Sequence, residues 1–118
     1  MSVSNDKIEK YLKLAKKKPQ YYAKLGDLYS DDGDFKTATT YYQKAADNGV
    51  LAYTVLGDTW GYRSQYKKAF EVYKEGANKG EAECFAHLGF CYETGYVKID
   101  IQKAIECYAK ASDLGVAA

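Results

Sequence analysis

The sequence predicts an all-α fold, an α/α superhelix of about seven helices arranged as helical hairpins, and three observations lead there. A Leu-Gly pair followed by an aromatic residue occurs three times: Leu25-Gly26 with Tyr29, Leu56-Gly57 with Trp60, and Leu88-Gly89 with Tyr92. Behind each pair comes a second set: Ala38, Tyr42, Ala45 and Gly49, then Ala69, Tyr73, Ala77 and Gly80, then Ala104, Tyr108, Ala111 and Gly115. Both sets recur at three- and four-residue steps, the stripe of an amphipathic helix. Pro19 is the single proline, as a largely helical chain requires. Self-similarity at roughly 30 to 35 residues marks a stacked array in which neighbouring units share their core.

Taken in order, residues 6–18 carry Ile8, Leu12 and Ala15 on one stripe and read as an N-terminal half-repeat that Pro19 ends. Repeat 1 covers 19–49. Its first helix holds Tyr22, Leu25, Gly26 and Tyr29, and its second holds Ala38, Tyr41, Tyr42 and Ala45. Between them Asp31-Asp32-Gly33-Asp34 makes a turn, with Asp34 placed to cap the amides that follow. Repeat 2 covers 50–81. Its turn, Gly61-Tyr62-Arg63-Ser64-Gln65, lacks the Gly-Asp pair, so a different turn geometry is expected. Repeat 3 covers 82–115, with a longer turn around Glu93-Thr94-Gly95-Tyr96-Val97, and 116–118 form a tail. The whole chain, 1–118, is read as a single repeat domain.

Mid-helix glycine costs about 1 kcal/mol against alanine. Three such glycines at one register, Gly26, Gly57 and Gly89, predict helix crossings too close for a Cβ, with Ala38, Ala69 and Ala104 as the small partners. Gly49, Gly80 and Gly115 close the second helices. No polar helix follows the last one, which predicts an apolar end surface from Ile105, Tyr108 or Leu114 and a route to homo-oligomers.

Composition narrows the function classes. Seventeen basic against sixteen acidic side chains give no global field for nucleic acid or membrane. No apolar run approaches the ~20 residues of a membrane span, and the Lys-rich start lacks a secretory leader's apolar stretch. Three cysteines without CxxC spacing fit reduced thiols, hence a cytoplasmic location.

Tyr22, Leu25-Gly26, Tyr29, Gly33-Asp34-Phe35, Ala38 and Tyr41-Tyr42-Gln43-Lys44-Ala45 resemble a tetratricopeptide repeat. The endings Ala45-Ala46-Asp47-Asn48-Gly49 and Ala77-Asn78-Lys79-Gly80, with Ala52 or Ala82 opening the next unit, are more similar to the related Sel-one-like repeat. The third unit resembles it best, through Ala82, Leu88-Gly89, Tyr92, Gly95, Val97, Asp100, Lys103-Ala104, Tyr108, Lys110-Ala111 and Gly115. The resemblance implies a non-catalytic scaffold or adaptor that binds a protein or peptide on a concave face lined by the first helices. Related secreted repeats pair cysteines between neighbouring helices; the matching positions here are Asn78 and Ser112, so that bridge is not expected.

By register the groove candidates are Asp27, Asp31, Asp58, Tyr62, Phe90 and Glu93, beside Ala23, Ser30, Thr54 and Ala86. Acidic positions with aromatic spots suit a basic or amphipathic peptide. The same residues also read as ordinary solvated helix faces. Lys7, Lys10, Lys13, Lys16, Lys17 and Lys18 offer an alternative surface for an acidic partner, although nucleic acid is not expected without arginine forks or a recognised motif. Cys84, His87 and Cys91 share a helical side with Cys107 opposite, yet packing explains them and no metal is expected. Catalytic residues and cofactors are likewise not expected, since one histidine and no phosphate loop leave little to build a reaction centre from. A self-associating fragment, or a designed array without a natural ligand, completes the alternatives.

Overall fold

The computed structural model describes residues 5–116, and all regular structure among them is helical. The helices are α1 (Asn5–Ala15), α2 (Gln20–Asp31), α3 (Phe35–Asp47), α4 (Tyr53–Tyr62), α5 (Tyr66–Asn78), α6 (Ala82–Thr94) and α7 (Ile101–Asp113). They fall into two compact units, Met1–Leu51 with α1 to α3 and Ala52–Ala118 with α4 to α7.

In the first unit α1 packs on α2, and α2 forms a hairpin with α3. The leading helix stops at Ala15, three residues before the expected end, and Lys18 N–H closes the turn onto Leu14 O at 2.8 Å. Pro19 ends nothing; with φ −56° it opens α2, because proline's fixed φ suits a helix start. Leu25 and Gly26 of α2 and Ala38, Ala45 and Ala46 of α3 are all buried in this hairpin. Burial of one leucine of this kind stabilises by about 1.5–3 kcal/mol. Asp34 caps α3 as expected, accepting from Thr37 N–H at 3.1 Å. Tyr22, Tyr41 and Tyr29 form a stacked column, with ring centroids 6.4 and 5.7 Å apart and interplanar angles of 18° and 13°.

The second unit consists of two hairpins, α4–α5 and α6–α7, joined through α5 against α6. Its core holds Leu56, Ala69, Tyr73, Cys84, Leu88, Cys91, Ala104 and Ala111. Gly76 of α5 is where the hairpins meet: a Cβ there would lie 2.6 Å from Tyr53 Cβ and would also strike Cys84 Sγ. Glu81, held just after the left-handed Gly80, reaches back to the start of α4. Its carboxylate accepts from Tyr53 N–H at 2.9 Å and Thr54 N–H at 3.0 Å. The N-cap residue of α4, Ala52, has no side-chain acceptor to offer, so the cap comes from the last residue of the same repeat, at the N-cap position of α6.

Two further expectations need correction. The partners of the mid-helix glycines are tyrosines rather than Ala38, Ala69 and Ala104. A Cβ on Gly26 would lie 2.5 Å from the Tyr42 ring, one on Gly57 2.6 Å from Tyr73 Cδ1, and one on Gly89 2.9 Å from Tyr108 Cε1. The room freed by the missing side chain is filled by an aromatic ring, which buries more apolar surface than a methyl group would.

The repeat 2 turn is also not different from the repeat 1 turn. Gly33 N–H donates to Ser30 O and Asp34 N–H to Tyr29 O; Ser64 N–H donates to Gly61 O and Gln65 N–H to Trp60 O, all at 2.9–3.0 Å. Ser64 takes φ +60° where Gly33 has +85°. Hydrogen bonds of the turn impose the conformation, and serine bears a strain of about 1–2 kcal/mol for it. Gln65 repeats the backbone of Asp34 without a side-chain cap. Ser64→Gly combined with Gln65→Asp should therefore stabilise the chain by about 1 to 1.5 kcal/mol, net of glycine's entropy cost. Thermal unfolding reads this directly, and an unchanged midpoint would show that the turn carries no strain.

Candidate functional site

The predicted site residues divide between the two units. In the first, Asp27 and Asp31 are both exposed. Asp27 is engaged, its Oδ1 accepting from Tyr42 O–H at 2.6 Å. Asp58 holds the same place in repeat 2 and accepts from Tyr73 O–H. Repeat 3 has Phe90 there, so Tyr108 has no carboxylate at that position. Both aspartates thus anchor the tyrosine that covers the hairpin's glycine.

The second unit brings Asp58 and Phe90 together in one cleft of about 390 Å³. Asp58 comes from α4, Tyr73 from α5, Ala86, His87 and Phe90 from α6, Tyr96 from the α6–α7 loop, and Tyr108 from α7. Phe90 is 46% exposed, and its ring meets Tyr96 edge-on at 5.5 Å. His87 stacks obliquely on Tyr73 at 4.8 Å, with Nε2 3.6 Å from Asp58 Oδ1 and Nδ1 3.0 Å from Glu83 O. A carbonyl only accepts, so Nδ1 carries the proton of that bond. Tyr62 and Glu93 are exposed at the ends of α4 and α6 and do not line the cleft. Thr54, expected on the groove, is buried instead, its amide bonded to Glu81.

Tyr96 was not singled out by sequence reasoning. Its only trace there is the extra length of the third internal turn. That length lets the chain return, so that the Tyr96 ring lies 4.4 Å from Tyr66 and its hydroxyl sits over Gly61, where a Cβ would come within 3.3 Å. The insertion supplies one wall of the cleft.

Burial raises the phenols of Tyr42 and Tyr73 well above their ordinary value of 10.0, and the adjacent Asp27 and Asp58 carboxylates raise them further. A raised value favours the neutral form in the folded state, so this stabilisation is complete below pH 10.0 and is lost as pH rises above it. Unfolding measured along an alkaline series should show stability falling from about pH 10 upward, and less steeply in Tyr73→Phe. Equal slopes would remove Tyr73 from this account.

Cys84 and Cys91 are buried free thiols, both pushed up to about 12 by burial first. Such thiols pack and do not react. Among the described residues no group of His, Cys, Asp and Glu is arranged to hold a metal ion, and no helix is long and apolar enough to cross a membrane. Ile101 and Ile105 on α7 and Leu114 at its C-cap are about half exposed, whereas Tyr108 is partly buried in the cleft.

A family model described as Sel1 repeat matches the chain twice, at residues 19–50 and 86–116, together just over half its length. No curated protein matches it.

Proposed function

The chain belongs to the Sel1 repeat family, whose repeats are helical hairpins that generally mediate protein–protein interaction without catalysis, and from that premise we propose that its second unit binds a basic, amphipathic peptide of a partner protein. The cleft around Asp58 carries this reading. It combines one carboxylate with the rings of Tyr73, Phe90, Tyr96 and Tyr108, and no lysine or arginine lines it. A lysine or arginine side chain entering there would meet aromatic faces along its stem and the Asp58 charge at its tip. Tyr62 and Glu93, exposed at the ends of α4 and α6, would act as outlying contacts for flanking residues of the peptide. Free cysteines of this kind fit a reducing compartment such as the cytoplasm.

Phe90→Lys tests the reading with little risk to the fold, because Phe90 is 46% exposed. Titrating a fluorescent peptide that alternates lysine and leucine should show binding to the native chain and at least about tenfold weaker binding to the variant. The same peptide with glutamine in place of lysine should bind weakly to both. Equal affinities for the two proteins would move the working surface elsewhere.

A further inference from the structure

We propose that the first unit carries a separate site, a lysine-rimmed cleft that takes an acidic, amphipathic segment of a protein. Lys36, Thr40 and Lys44 follow one another at four-residue steps along α3, with Thr37 and Tyr41 in the adjoining row. Lys16, in the turn after α1, and Leu12 of α1 close the other side, and Tyr22 of α2 completes the lining. The cleft measures about 640 Å³. Three ammonium groups line it and no carboxylate does. The acidic side chains of α3 and its cap are turned to local bonds: Asp34 accepts from the Thr37 amide at 3.1 Å and Asp47 from Gln43 at 2.9 Å.

The site differs from the lysine-rich helix that the sequence brings to notice. Of the six lysines between Lys7 and Lys18, only Lys16 reaches it; the others lie outside its lining. The chain as a whole has a formal charge of only +1, so the positive potential here is local. Leu12 is 36% exposed and gives the cleft an apolar contact, while the tyrosine column forms a rigid wall. Lys44 Nζ lies 5.7 Å from the Tyr22 ring centroid, which holds one cation over the wall. Burial and the neighbouring Tyr29 and Tyr22 raise the Tyr41 phenol, keeping it a neutral hydroxyl.

Carboxylates on one face of a helical segment match three ammonium groups, and an apolar residue on its edge matches Leu12. Nucleic acid fits less well. No arginine lines the cleft, and Tyr22 and Tyr41 stack on each other instead of offering open faces to bases.

The test uses the full chain and a fluorescent helical peptide with glutamates on one face and a leucine beside them, followed by anisotropy. The native chain should bind it, more weakly as salt rises, and should not bind the peptide with glutamine in place of glutamate. Lys36→Glu with Lys44→Glu should weaken binding at least about tenfold at an unchanged thermal midpoint. If that pair lowers the midpoint, Lys36→Gln with Lys44→Gln serves in its place. Lys7→Glu with Lys10→Glu removes the same charge outside the cleft and should keep affinity within about twofold. Equal losses in the two double variants would overturn the site. So would undiminished binding of the glutamine peptide, or single-stranded RNA binding more tightly than the peptide and displacing it.

Discussion

Gly57→Ala should destabilise the second unit by about 3 kcal/mol, although alanine is the better helix former by about 1 kcal/mol. The added Cβ would stand 2.6 Å from Tyr73 Cδ1 and 2.8 Å from Cζ, with Cε1 nearer still. Tyr73 is held where it is. It is 3% exposed, and its hydroxyl is tied to Asp58. Either the ring leaves its place and the core loses a buried aromatic, or α4 and α5 separate.

The repeats provide their own control. At Gly89 the nearest ring atom is 2.9 Å away, and Tyr108 is only partly buried, with Phe90 in place of the anchoring aspartate. That ring can shift, so Gly89→Ala should fall within about 1 kcal/mol of the native chain, propensity offsetting the crowding. Gly26→Ala should lie between the two, since Tyr42 is anchored by Asp27 but half-buried. Urea unfolding of the three variants gives the order. Equal costs at Gly57 and Gly89 would show that ring mobility does not decide the outcome.

Glu81→Ala should cost about 2–4 kcal/mol, because two amides at the start of α4 lose an ionised acceptor inside the fold. The donors belong to Tyr53 and Thr54, which are 5% and 6% exposed, so water does not replace the carboxylate well. A negative charge at a helix N-terminus also gains from the helix dipole. Glu81→Gln keeps an acceptor and loses the charge, and should cost roughly half as much. Glu83, exposed in the first turn of α6, is the control: Glu83→Ala should stay within about 0.5 kcal/mol. Hydrogen exchange at Tyr53 and Thr54 adds a local reading, with protection lost in Glu81→Ala. A variant as stable as the native chain would mean that α4 needs no cap from Glu81.

Hairpin positions were legible because helix periodicity repeats within a few residues. Leu25, Leu56 and Leu88 announce their burial by spacing alone, and Asp34 announces a cap by standing just before Phe35. The turn at Ser64 misled for the converse reason. Residue preference argued against a left-handed serine, but bonds to Gly61 and Trp60 carbonyls outweigh that preference. Of the residues that register proposes, Asp58 and Phe90 line the cleft, whereas Tyr62 and Glu93 share the register and stand outside it. Register gives the face of a helix and not the depth at which another element covers it.

Residue order alone thus specified which segments coil and that each hairpin repeats the last, because those properties rest on contacts a few residues long. Three-dimensional packing assigned the rest. Tyr42, Tyr73 and Tyr108 fill the hollows of glycines on the opposing helix, Glu81 serves amides 28 and 27 positions earlier, and Tyr96 folds back over Gly61 to wall a cleft. Each of these pairings joins residues far apart along the chain, where no local periodicity can link them and only the shared space of the folded hairpins does.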